Sequence, residues 1–135
     1  MLTVHKHISD NDLIETLVSR WIEALALGAF DEACNLLFEN DDWVNPSTIE
    51  ALVSNYGQLE EPIRVGPHRV TRPSTAIGTP YHSIERRKWE TADGVVGDAF
   101  IELPLDGEWS SLSAIFIIYS IEGHLAFKLE RVEVP

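Results

Sequence analysis

A single cysteine, Cys34, excludes any internal disulfide framework in this chain of 135 residues. No apolar stretch approaches the roughly 20 residues that span a bilayer, the longest being of the order of Ala114 to Tyr119. The N-terminus, MLTVHKHISDND, lacks the continuous apolar core of a secretory signal, so cytoplasmic residence is the expectation. No Gly-rich phosphate loop, serine nucleophile elbow or Cys/His pair occurs. The five histidines include no H-x-x-x-H pair and none beside the cysteine, so neither metal nor cofactor is expected. Basic residues are scarce too, at 10 against 22 acidic ones, for a net charge of -12. A surface so acidic repels phosphate backbones and attracts basic proteins, which argues against nucleic acid as a partner.

What is present is an ordinary globular composition, 44% hydrophobic and 24% charged, in a length that suits one domain over residues 1–135. The charge is unevenly spread. Residues 1–61 carry 2 basic and 12 acidic side chains, residues 62–88 carry 6 and 1, and residues 89–135 carry 2 and 9.

Three helices are expected first. From Ser9 to Leu27 the apolar residues Leu13, Ile14, Leu17, Val18, Trp21, Ile22 and Leu25 recur at three- and four-residue steps, the spacing of one helical face. Ser9 with Asp12 resembles a capping box, and Gly28 supplies the stop. A short second helix follows, with Phe30, Ala33, Cys34, Leu37 and Phe38 as its buried stripe, closed by the turn Glu39 to Trp43. Asn45 before Pro46 is an N-cap with proline in the first helical position, starting a third helix from about Pro46 to Tyr56.

After Pro62 the pattern becomes extended. Strands are predicted near Ile63–Val70, His82–Thr91, Val95–Leu103, Ser111–Ile121 and Leu125–Val134, the last four as an antiparallel meander. Ala92-Asp93-Gly94, Asp106-Gly107 and Glu122-Gly123 are the hairpin turns, since Asp and Gly tolerate the positive φ these require. In the third strand Val95, Gly97, Ala99, Ile101 and Leu103 form the face expected to meet the helices, with Asp98 and Glu102 on the other. The fourth is apolar on both faces. Its Phe116 and Ile118, with Phe100, are expected to make an exposed patch, hence a homodimer or partner interface.

Three N-terminal helices before a curved strand meander resemble the NTF2-like (cystatin-like, SnoaL-like) α+β cone fold, above all in the run WIEALALGAFDEACNLL at residues 21–37. The resemblance implies a cone between the helices and a curved, mainly antiparallel sheet of about five strands. It leaves function open, because that superfamily includes isomerases, dehydratases, cyclases, transport factors and toxin-immunity proteins.

Two functional classes follow. In the first, the protein is a non-catalytic binder that neutralises a basic partner, an immunity protein being the concrete form, with Glu39, Asp41, Asp42 and Trp43 as its contact. In the second, an isomerase- or cyclase-like enzyme or carrier holds a small apolar ligand in the cone, against Trp21, Tyr56, Trp89 and Tyr119. Asp98 is the obvious carboxylate for such an enzyme, yet strand parity points it away from the cone, and no catalytic residue is assigned. Arg64, Arg69, Arg72, Arg86, Arg87 and Lys88 either converge as a site for a carboxylate or phosphate or are neutralised within the fold.

Overall fold

A computed structural model describes residues 1–55, 68–89 and 91–134. The fold is α+β, with three N-terminal helical segments packed on a strongly curled antiparallel half-barrel.

The first segment is a continuous rod made of α1 (Asp10–Leu17), a π-helical turn (Val18–Ile22) and α2 (Glu23–Ala26). Ser9 starts it, its hydroxyl accepting from the Asp12 amide at 3.2 Å. Gly28, at φ 73°, ends it in the left-handed conformation that suits glycine. The second segment is α3 (Phe30–Asn35), and the third is α4 (Pro46–Ser54). Asn45 caps α4 by accepting from the Thr48 amide at 2.9 Å. Tyr56, the expected end of that helix, lies outside the described residues.

Five strands form one sheet in the order β1-β5-β4-β3-β2. They are β1 (Thr3–His5), β2 (His82–Arg86), β3 (Val95–Leu105), β4 (Glu108–Ile121) and β5 (His124–Glu133). The meander from β2 to β5 is the predicted one. Asp106-Gly107 and Glu122-Gly123 each place two consecutive residues at positive φ, the geometry of tight two-residue hairpins.

The sheet edges differ from expectation. The N-terminus supplies β1, whose Val4 pairs with Leu125 and His5 with His124. A three-residue strand is too short to show alternation in sequence. Of the strand expected at Ile63–Val70, residues 63–67 lie outside the described residues, and Val70 makes an isolated bridge to Leu105. β2 ends at Arg86 rather than Thr91.

The core lies between the rod and the inner sheet face. Ala99, Ile101 and Leu103 of β3, Ala114, Phe116 and Ile118 of β4, and Leu125, Phe127 and Leu129 of β5 bury there with Leu13, Leu17, Trp21 and Ile22. Phe116 and Ile118 are therefore core residues, at 0% and 1% exposure, and cannot belong to an exposed interface. The register gives the reason. Phe116 stands opposite Ala99 and Ile118 opposite Gly97, so large residues of β4 face small ones of β3 and fill the space beneath the helices. The Trp21 and Phe116 rings meet edge to face at 5.0 Å between centroids.

Gly97 also marks an irregularity. A Cβ there would lie 2.6 Å from the Glu85 carbonyl oxygen, closer than side chains are tolerated. The register shifts between Val95 and Gly97, which puts Val95 opposite Tyr119 while Val96 packs on the core. Val95 is thus buried away from the inner face on which strict alternation places it.

Candidate functional site

The segment between α3 and α4 carries the acidic turn. It wraps the edge of β5, with the Phe38 amide donating to the Phe127 carbonyl at 2.7 Å. The Phe38 ring then meets Tyr119 edge-on at 5.1 Å, covering part of the outer sheet face. Glu39 takes the left-handed conformation at φ 47°, and the Asn40 side-chain amide donates to the Cys34 carbonyl at 2.8 Å, satisfying an end of α3. The Asn45 amide group donates to the Asp42 carbonyl at 3.1 Å. The turn is consequently a braced scaffold that presents its carboxylates outward.

Asp41 is held by Lys128 of β5 at 3.2 Å, and that contact keeps the Lys128 ammonium above the ordinary amine range. Glu39 and Asp42 are exposed and make no ion pair among the described residues. Trp43 is half-buried and packs its ring on the core, anchoring the turn between those two acids and the buried Val44.

The acidic surface extends along the helices. Residues 1–55 contain ten carboxylates and only two basic residues, Lys6 and Arg20. Three carboxylates are paired: Asp10 with Arg86 at 2.6 Å, Glu23 with Arg72 at 2.6 Å, and Asp41 with Lys128. The other seven, Asp12, Glu15, Asp31, Glu32, Glu39, Asp42 and Glu50, are exposed without an ion pair among the described residues.

The three described aromatics of the expected pocket do not converge. Trp21 is sealed in the core and its indole N–H has no hydrogen-bond partner among the described residues, whereas Trp89 is 74% exposed beneath the Lys88 ammonium. Tyr119 lies on the outer face against Phe38, and Tyr56 is outside the described residues. Phe100 is half-buried on that outer face, opposite Ile115 and edge-on to Tyr81 at 5.6 Å. Asp98 shares the outer face, cross-strand from Ile117 and 4.0 Å from Arg87.

The five described cations of residues 64–88 do not form one patch. Arg72 and Arg86 are spent on the rod, Arg69 is exposed elsewhere, and Arg64 lies outside the described residues. Arg86 also donates to the Ile8 carbonyl at 2.9 Å, so it clamps β2 to the start of α1. Arg87 and Lys88 instead join Lys6 and His7 of the N-terminal segment around a cleft of about 250 Å³, a grouping that sequence could not show because it depends on β1.

Two further clefts flank the helices. The larger, about 750 Å³, runs between α1 and the 72–82 segment and includes Asn11, Glu15, Ser19, Glu23, Arg72 and Trp109. Four of these recur at four-residue intervals along the rod, which is why they share one side of the cleft. The other, about 360 Å³, includes His68, whose Nδ1 is bonded to Asp106. Asp106 also accepts from the Arg69 amide at 3.1 Å, so the pair fastens residues 68–70 to the β3–β4 hairpin.

Cys34 is buried, and burial with the nearby Asp31 charge raises its pKa, leaving an unreactive thiol. Among the described residues, no three His, Cys, Asp or Glu side chains gather as a metal site, and no helix is long and apolar enough to cross a membrane. Comparison with known protein families, with curated proteins and with solved structures finds no match to this chain.

Proposed function

We propose that this protein is a non-catalytic recognition module that binds a basic protein through its acidic helical half, the neutralisation of a basic toxin being the most concrete form. The observation that carries this reading is the set of seven exposed carboxylates on residues 1–55 without an ion pair among the described residues. Mutual repulsion among such groups costs stability in the isolated protein and is relieved by an oppositely charged surface. The braced turn adds Glu39 and Asp42 in fixed positions, so little ordering is required on binding.

The alternative of an enzyme or carrier acting through the cone has less support, because Trp21, Trp89 and Tyr119 occupy core, surface and outer sheet face respectively. Helices on a curled half-barrel are compatible with the NTF2-like cone, and membership of that superfamily is part of this proposal. Fold alone would not assign a role.

The test is capture of partners from the native host at low salt, followed by mass spectrometry. The wild type is expected to retain one basic protein in stoichiometric amount, and the Glu39→Lys/Asp42→Lys variant to lose it. Equal retention by both, or capture of no basic protein by the wild type, refutes the assignment.

A further inference from the structure

The small cleft across the end of the sheet, between the residues that follow β1 and those that follow β2, runs against the charge of the whole molecule. Four of the ten Lys and Arg residues, Lys6, Arg86, Arg87 and Lys88, line it together with His7, in a chain whose net charge is -12. Its apolar part is the half-buried Val96, with the buried Ile118 and Leu125 closing the space behind it.

The backbone fixes these groups. The Lys6 amide donates to the Gly123 carbonyl at 3.0 Å, the His7 amide to His5 Nδ1 at 3.1 Å, and the Arg87 amide to the Val96 carbonyl at 2.8 Å. Among the described residues the carboxylates that answer these cations are Asp10, Asp98 and Asp93, the last acting on Arg87 through its charge. Asp10 saturates Arg86 at 2.6 Å, and Asp98 reaches Arg87 only at 4.0 Å. Lys6 and Lys88 have no ion pair among the described residues, and the Lys88 ammonium sits 5.1 Å from the Trp89 ring centroid. Cations brought together against an acidic background are self-repelling, and an anion between them removes that repulsion.

We infer that this cleft binds a small organic anion, its charged head between Lys6, Arg87 and Lys88 and its short apolar body over the half-buried Val96. Arg86 acts as a positioning residue, because its guanidinium is already committed to Asp10 and the Ile8 carbonyl. At about 250 Å³ the space falls below the usual ~300–1,000 Å³ of ligand pockets, which favours a short carboxylate or phosphate ester over a nucleotide. The site uses none of the unpaired acids of the helical half and stands or falls independently of them.

The experiment titrates the full chain with hexanoate, hexan-1-ol and inorganic phosphate, following backbone amide shifts by NMR. Hexanoate is expected to shift Val96, Leu125 and the Trp89 indole saturably. Hexan-1-ol and inorganic phosphate should each bind at least tenfold more weakly, since each lacks one half of the recognition. The Lys6→Ala/Lys88→Ala variant should weaken hexanoate at least tenfold while keeping the dispersed spectrum of the wild type. Equal binding of hexan-1-ol, equal binding of phosphate, an unaffected double variant, or no saturable hexanoate shift at millimolar concentration would each overturn the inference. The first two comparisons use wild-type protein alone and remain decisive if the variant does not fold.

Discussion

Phe100 and Phe116 carry the same side chain on adjacent strands, and truncating each to alanine separates the two faces of the sheet. Phe116 is 0% exposed, edge-on to Trp21 at 5.0 Å and 6.5 Å from Phe127, with Ala99 as its cross-strand neighbour. Small Ala99 cannot close over a missing ring, and Trp21 is fixed in the rod. Phe116→Ala therefore leaves a cavity and should cost about 4 kcal/mol, within the 3–5 kcal/mol typical of buried Phe truncations. Phe100 is half-buried on the outer face, where solvent fills the vacated space and the edge contact with Tyr81 is lost. Its truncation should cost about 1–2 kcal/mol, from partial apolar burial and one aromatic contact. Urea denaturation followed by far-UV circular dichroism measures both, with unchanged m-values expected. At about 4 °C per kcal/mol for a domain of this size, the melting temperatures should differ by roughly 10 °C. Equal losses, or a larger loss for Phe100→Ala, would refute the register that puts Phe116 inside.

Two further outcomes follow from local geometry. Gly97→Ala forces a methyl against the Glu85 carbonyl and should cost about 2 kcal/mol or more, with the loss concentrated in faster hydrogen exchange of β2 amides; protection unchanged in β2 would contradict it. Burial raises the Cys34 pKa in the folded protein above its unfolded value, so the stabilising contribution is complete below the ordinary thiol range and is lost as pH rises through the folded pKa. Stability should thus decline at alkaline pH, and Cys34→Ala should flatten that decline; identical pH profiles would remove the argument.

Much of this architecture is legible in the residues. Helical periodicity from Leu13 to Leu25 marks the rod, and Asn45-Pro46 marks the start of α4, because both signals are local. The Asp-Gly and Glu-Gly turns do the same for the hairpins, whose positive φ angles few other residue pairs accept. The apolar alternation of β3 gives the inner face correctly from Ala99 onward, and fails at Val95, where the irregularity beside Gly97 breaks the period of two.

What stays hidden depends on pairing over distance. β4 is apolar on both faces, so its own sequence cannot say which one meets the helices; the small residues Gly97 and Ala99 across the strand boundary decide it. β1 is too short for a periodic signal, yet it delivers Lys6 and His7 to Arg87 and Lys88. The acidic turn was visible as composition, whereas the bracing by Asn40, Asn45 and Lys128 that fixes it required the fold.

The central claim is that exposed carboxylates on the helical half steer a basic protein partner. It is tested most directly by stopped-flow association of the captured partner with wild type and with the Glu39→Lys/Asp42→Lys variant, which changes the net charge from -12 to -8. At low ionic strength the variant should associate about tenfold more slowly, with the difference shrinking as salt screens the field. An association rate independent of both the substitutions and the salt concentration would contradict the account.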